Sequence, residues 1–257
     1  MRRSVAVLAG GLGIRVAHLT DVDAPKAMLP IGGRPFIDFK LAELVAAGAD
    51  EIVLLTGFGS GALRAHVEAE GPDGVPVRVV EDGPRLLGTG GAIRRALDLL
   101  PDPFWVTYGD TLLDVDLDPA EQRLAGDPGL EGVMTVLRND DRRQVSNVSI
   151  DAEMIVTAYD KDAVPGSHAY IDYGMLLLRH AAFARRGADA TFDLTDLLGE
   201  AVGERRLAAF VVSEPFHDIG TEPAWQETAR WAIDSRLWER LQERIGRRAA
   251  LRGLPRP

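Results

Sequence analysis

The chain has no cysteine among its 257 residues, which excludes disulfides and thiolate metal sites. Lysine is scarce as well: Lys26, Lys40 and Lys161 stand against 26 arginines. No apolar run is long enough to span a bilayer, and the run after Met1-Arg2-Arg3 ends at Gly10, too soon for a signal-peptide core. A cytoplasmic protein without membrane contact is the expectation. A net charge of −10 argues against a general nucleic-acid binder, which needs a basic face. Nucleotides stay open, because a few local cations and a metal can hold phosphate inside an acidic protein. The basic excess sits in residues 230–257, with eight Arg against three acids, and reads as a solvated helix face. A Walker A loop is also missing, since no Gly-Lys is followed by Ser or Thr.

With 46% hydrophobic and 26% charged residues, the chain suits one large α/β domain, or one domain with a small annex. Its informative stretch runs from Ser4 to Pro35. Ser4 to Leu8 is a short β-branched run of the kind that forms a buried strand. It breaks into Gly10, Gly11 and Gly13, where closely spaced N–H groups can form a nest for phosphate oxygens. Arg15 follows two residues later, and Lys26 follows a proline. A dinucleotide fingerprint fits poorly: Val16 stands where a third small residue belongs, and Glu43, the nearest acid at the right distance, lies inside a helical pattern. On the glycines alone, a structural turn and a polyphosphate loop both remain open.

The whole stretch resembles the signature of the sugar-1-phosphate nucleotidyltransferases (the nucleotidyl-transferase superfamily), roughly L-A-G-G-x-G-T-R-L-x-P-L-T-x-x-x-P-K-P-M-x-P-x-x-G-x-P. Leu8 to Gly13, Arg15, Leu19, Thr20, Pro25, Lys26, Met28, Pro30, Gly33 and Pro35 fall on it without a gap. Ile14 replaces the usual Thr, His18 the first Pro and Ala27 the second. The resemblance implies that Leu8, Ala9, Gly10, Gly11 and Gly13 bind the nucleotide. Arg15 is then expected to stabilise the leaving pyrophosphate, and Lys26 to bridge the α-phosphate and the sugar phosphate.

Downstream, residues 36–47 carry apolar residues at helical spacing with Gly48 as a stop, Glu51–Thr56 reads as a strand, 62–70 as a helix and 75–81 as a strand. This alternation predicts a mainly parallel sheet with ligands beyond the carboxyl ends of its strands. L-G-T-G-G-A at Leu87–Ala92 resembles the family's base-walling loop, so Gly88 is expected to let a base approach and Thr89 to hydrogen-bond its edge; the loop leans slightly to GTP. Gly109-Asp110 follows a strand at 104–107 and matches the family's Mg²⁺-binding Gly-Asp. Asp218, in D-I-G-T, matches the second metal carboxylate. His217 is left either supporting a ligand-holding neighbour or purely structural, because a sugar phosphate is already ionised and needs no base.

Between 130 and 180, alternating segments predict a small antiparallel sugar-binding extension. On the resemblance, Asn147, the Asp160-Lys161 pair, Asp172 (where Asn is usual) and Gly174 face the sugar; Asp160-Lys161 as a mere surface ion pair is the alternative. I-D-Y-G at Ile171–Gly174 is similar to hexose- and heptose-1-phosphate guanylyltransferases. A helix is expected at 192–203, a strand at 207–212 and one helix from 223 to 248. Its Trp231, Trp238, Leu241 and Ile245 share a face that covers the core or a second copy of the chain, which keeps a homodimer open.

The expectation is therefore a Rossmann-like α/β domain over 1–225 with a C-terminal helical tail at 226–257. It uses Mg²⁺ to join an NTP and a sugar 1-phosphate into a sugar nucleotide and pyrophosphate. Asp114-Val115-Asp116 keeps a metal-dependent GT-A-like glycosyltransferase as a rival, and a non-catalytic regulatory member of the superfamily is a second.

Overall fold

The structure, a computed structural model, describes residues 2–11, 25–57, 60–83, 85–139, 141 and 144–251. Gly13, Ile14, Arg15, His18 and Thr20 lie outside the described residues. In chain order the strands and helices are β1 (Ser4–Leu8), β2 (Pro30–Ile31), β3 (Arg34–Pro35), α1 (Phe36–Ala47), β4 (Glu51–Thr56), α2 (Ser60–Glu70), β5 (Val77–Glu81) and α3 (Gly88–Ala96). They continue with β6 (Phe104–Tyr108), β7 (Thr111–Leu112), α4 (Asp118–Ala125), β8 (Gly132–Arg138), β9 (Val148–Ile150), β10 (Val156–Tyr159) and β11 (Tyr170–Leu178). The last are α5 (Leu194–Gly203), β12 (Leu207–Val212), β13 (His217–Asp218), α6 (Glu222–Asp234) and α7 (Leu237–Leu251). No helix among the described residues is long and apolar enough to cross a membrane.

The chain divides into two compact units. The first takes residues 1–83, 108–113 and 216–257. Its β1, β4 and β5 are parallel, with Ser4 opposite Glu51 and Ile52 opposite Val77. β1 and β4 are buried along almost their whole length, which is why they read as unbroken apolar runs. The crossover helix α1 follows Pro35 and stops at Gly48 in the left-handed region (φ 96°). Leu29, Ile31, Phe36, Phe39, Leu112, Ile219, Ala232, Leu237 and Leu241 form one buried cluster, with Trp225, Trp231, Trp238 and Ile245 packed on it.

The expected single C-terminal helix is two. α6 ends at Asp234 with Ser235 as its cap, and Arg236 sits at φ 52° before α7 starts. Trp231 and Trp238 nevertheless both reach the same cluster, so the apolar spacing runs through the break and conceals it.

The second unit takes residues 84–107 and 114–215. Here β11 pairs antiparallel with β6, β8 and β9, β9 pairs antiparallel with β10, and β12 runs parallel to β8. The antiparallel extension expected at 130–180 is present, and its pairing reaches β6 through Met175–Leu178. The register of β11 against β8 shifts between Asp172 and Leu176. Gly174 lies in that bulge at φ 95°. Thr135 Oγ1 donates to Met175 O at 2.6 Å and Thr107 Oγ1 to Gly174 O at 2.8 Å, so the bulge is pinned from both sides.

Candidate active site

In the first unit β1 delivers Leu8, Ala9, Gly10 and Gly11 into a crowded place. Ala9 N donates to Leu55 O at 2.8 Å, and Gly109 N to Leu8 O at 2.9 Å. A side chain on Gly109 would stand 3.1 Å from both Leu8 O and the Ala9 methyl, so any larger residue would push the 109–110 turn a few tenths of an ångström away from the end of β1. The turn sets Asp110 beside the start of the glycine loop.

Lys26 opens a short 3₁₀ turn, Lys26–Met28, whose Ala27 and following Leu29 are buried and anchor it. Lys26 Nζ reaches Asp110 Oδ2 at 2.7 Å. The lysine side chain is 14% exposed and the aspartate 43%, so a nearly enclosed ammonium meets a carboxylate that opens to solvent. Thr111 Oγ1 donates to the other Asp110 oxygen at 3.2 Å.

Asp218 belongs to the same assembly. β13 pairs antiparallel with β7, Asp218 opposite Thr111, and Ile219 N donates to Asp110 O at 3.0 Å. The Asp218 carboxylate accepts Gly220 N at 2.7 Å through Oδ1; its Oδ2 accepts no hydrogen bond among the described residues. A Cβ on Gly220 would lie 2.9 Å from Asp218 Oδ1 and 3.7 Å from Lys26 Nζ, so one bare backbone turn borders both. Thr228 Oγ1 holds the Asp218 carbonyl at 2.7 Å. His217 stacks on Trp231, ring centroids 3.6 Å apart, a packing role consistent with leaving it out of the chemistry.

Two carboxylates, Asp218 on β13 and Asp110 in the turn that leads into its partner strand β7, form an oxygen-only donor set. That suits Mg²⁺, which typically takes one or two carboxylates and completes its shell with water and substrate phosphate. Among the described residues no group of three or more His, Asp or Glu gathers as an all-protein metal cage would. The residues present fit a cation shared with a phosphate, and the neighbouring Lys26 adds the positive charge that a phosphate needs.

The second unit holds the remaining candidates in two places. At the start of α3, Gly90 N and Gly91 N both donate to Phe192 O at 3.1 Å. A Cβ on Gly88 (φ 76°) would lie 2.5 Å from Phe192 O, and one on Gly91 2.5 Å from Ala190 O. The room expected here for a base is on that side occupied by the chain's own 190–193 segment. Thr89 Oγ1 accepts Leu194 N at 2.8 Å and stands 3.3 Å from Asp193 Oδ1, to which it donates. Its one proton is therefore spent on Asp193, and a base edge would meet only a remaining lone pair.

The sugar candidates form a connected set around the β11 bulge. Asp172 N donates to Asn147 Oδ1 at 3.0 Å, and Gly174 N to Asp172 Oδ1 at 2.9 Å. Tyr159 OH donates to Asp172 Oδ2 at 3.1 Å. Because Asn147 accepts through its oxygen, its amide NH₂ is left as a donor, and it makes no hydrogen bond among the described residues. Asp160 N donates to Asn147 O at 3.0 Å, while the Asp160 carboxylate caps Asp162 N at 2.9 Å. Lys161 is exposed, and the two make no ion pair with each other.

Tyr159 was not singled out from sequence, although it directly precedes the Asp160-Lys161 pair. Asp116 Oδ1 accepts Asp118 N at 3.1 Å at the start of α4, a local turn contact that gives the D-x-D a structural use.

Comparison with known proteins adds to this geometry. Residues 5–118 match the model of the MobA-like NTP transferase domain. The D-glycero-alpha-D-manno-heptose 1-phosphate guanylyltransferase of Campylobacter jejuni is 26% identical over 83% of this chain and 93% of its own length. The bifunctional protein GlmU of Alkalilimnicola ehrlichii is 30% identical over 96% of this chain, which spans only 53% of that protein. Among solved structures, HddC from Yersinia pseudotuberculosis superposes with a TM-score of 0.73 at 24% identity, covering 88% of this chain and 98% of that one. That likeness establishes a shared Rossmann-like α/β fold.

Proposed function

We propose that this chain is a sugar-1-phosphate nucleotidyltransferase, which moves a nucleoside monophosphate from an NTP to a sugar 1-phosphate and releases pyrophosphate. The observation that carries this reading is Lys26 Nζ at 2.7 Å from Asp110 Oδ2, with Asp218 on the strand paired to the one that Asp110 precedes. An ammonium and two carboxylates at the mouth of a glycine-bearing strand turn suit a polyphosphate and a divalent cation held together.

In the reaction, a phosphate oxygen of the sugar 1-phosphate forms a bond to the α-phosphorus in line with the leaving group. The bond from that phosphorus to the β-phosphate oxygen breaks, and pyrophosphate leaves with the electron pair. No proton has to move at neutral pH, so positioning and charge neutralisation supply the rate. Lys26 neutralises the two phosphates brought together, and Arg15 is assigned to the departing pyrophosphate. Asp110 and Asp218 would hold Mg²⁺, which when bound supplies Lewis-acid stabilisation of the transferring phosphate. Gly10 and Gly11 offer backbone N–H groups to the triphosphate.

For the acceptor, the Asn147 amide can donate to a sugar hydroxyl. Asp172, buttressed by Tyr159 and Gly174 N, presents a carboxylate edge. For the base, GTP is assigned, supported by the name of the Campylobacter relative, whose length this chain spans almost completely. A hexose or heptose 1-phosphate is assigned as acceptor on the same support.

The test is pyrophosphate release with Mg²⁺, across four NTPs crossed with hexose and heptose 1-phosphates. Turnover with GTP and one such acceptor is expected. Turnover with another NTP alone would replace the base, and silence across the panel would overturn the activity.

A further inference from the structure

One buried ion pair is not used by that chemistry. Lys40 and Glu43 lie on α1, one turn apart, and Lys40 is fully buried. Its Nζ stands 3.0 Å from Glu43 Oε1. The second oxygen of Glu43, Oε2, accepts the N–H of Leu113 at 2.8 Å. Burying two charges sacrifices their hydration, and apolar side chains of similar volume often serve a core as well or better. The pair therefore calls for a use other than stability.

That use lies at the far end of its hydrogen bonds. Leu113 directly follows β7, and Asp110 directly precedes it. β7 in turn pairs with β13, which carries Asp218. A carboxylate fixed by a neighbouring ammonium accepts a stronger and more directional hydrogen bond than a neutral group. The strand that links the two acidic positions is thus tied to the rigid helix α1 at one charged point.

We propose that Glu43, oriented by Lys40, is a positioning residue that sets β7, and through it Asp110 and Asp218, in the register needed to bind a divalent cation with the nucleotide. The proposal rests on the reading of those two aspartates as the metal-holding pair. Neither Lys40 nor Glu43 needs to touch substrate for this. Outer partners that orient metal ligands commonly govern metal affinity by about 10–100-fold.

The experiment compares the full chain with two double variants. K40M/E43Q removes both charges and keeps an acceptor oxygen for Leu113 N; K40M/E43L removes the acceptor at similar volume. Mn²⁺ binding in the presence of GTP is followed by electron paramagnetic resonance, and the Mg²⁺ dependence of kcat is measured beside it. K40M/E43L is expected to bind Mn²⁺ at least about tenfold more weakly, with a matching rise in the Mg²⁺ requirement, while K40M/E43Q, which keeps a neutral acceptor without its orienting ammonium, falls between K40M/E43L and wild type. Should K40M/E43L fail to fold, E43D carries the test: it keeps the charge but is one methylene too short, and the same weakening is expected. Equal Mn²⁺ affinity in all variants, or equal weakening in both double variants, would overturn the proposal and leave the pair a packing feature. A wild-type protein that binds no Mn²⁺ with GTP would instead overturn the metal reading itself.

Discussion

Lys26 and Asp110 are separated by 84 positions in the chain and by 2.7 Å in space. Each is delivered by its own tight turn, the 3₁₀ turn after Pro25 and the Gly109-Asp110 turn pressed against Ala9. The ammonium is the more enclosed partner and the aspartate the more exposed one.

Replacing Lys26 by Ala should therefore harm catalysis far more than folding. A loss of about 10²–10³ in kcat is expected for removing a cation at the transferring phosphate. The ion pair itself is partly exposed on the aspartate side and contributes at most about 1 kcal/mol to stability, so Tm should move by only a few degrees. Steady-state kinetics and a thermal melt separate the two effects, and near wild-type turnover would remove Lys26 from the mechanism.

Asp218→Asn keeps an oxygen for Gly220 N but loses the charge. The expected result is a Mg²⁺ requirement raised by about tenfold or more, with turnover partly recovered at high Mg²⁺. A metal titration of kcat reads this directly. An unchanged titration curve would leave Asp218 a turn-capping residue.

Tyr159→Phe removes the hydroxyl that donates to Asp172 Oδ2. If that carboxylate faces the acceptor, KM for the sugar 1-phosphate should rise about tenfold, the scale of one lost charge-assisted hydrogen bond, while KM for the NTP holds. A rise in both constants would point to a general loosening of the second unit.

Gly88→Ala should be destabilising, because φ is 76° and the new methyl would lie 2.5 Å from Phe192 O. Left-handed strain alone costs about 1–2 kcal/mol. Chemical denaturation measures the loss. Wild-type stability would mean that the 190–193 segment yields easily.

Asp141 accepts the N–H groups of Ser146 and Gly166, both at 2.6 Å, and these bonds hold its carboxyl below the ordinary value of 3.8. A depressed acid stabilises the fold fully above its unfolded pKa, and the contribution fades as pH falls through the folded value. Asp141→Asn should thus lower resistance to urea near neutral pH and converge with wild type in strong acid. Parallel curves at every pH would rule out this linkage.

The N-terminal half of the candidate site is legible as a motif because its residues are contiguous: β1, the glycines, Pro25-Lys26 and Met28 are read in one pass. α1 and its Gly48 stop were legible for a similar reason, since helix spacing and a left-handed cap are local properties. What escaped depends on which segment lies opposite. The glycines at 88–91 fit the backbone of 190–193, Thr89 spends its proton on Asp193, and Tyr159 supports Asp172; no spacing along the chain encodes any of these. The break at Arg236 escaped for another reason, because arginine carries no stop signal and the apolar spacing persists through it.

The pairing of His217-Asp218 with Thr111-Leu112 also sets an order of events during synthesis. The second acidic position emerges from the ribosome more than a hundred residues after the strand it must join. Over that interval the 114–215 segment can gather its own contacts, while the unit bearing Lys26 and Asp110 still lacks its last strand. Such late, long-range closure is slow by nature. Chains halted before residue 216 would therefore have the 114–215 segment but lack the strand that carries Asp218.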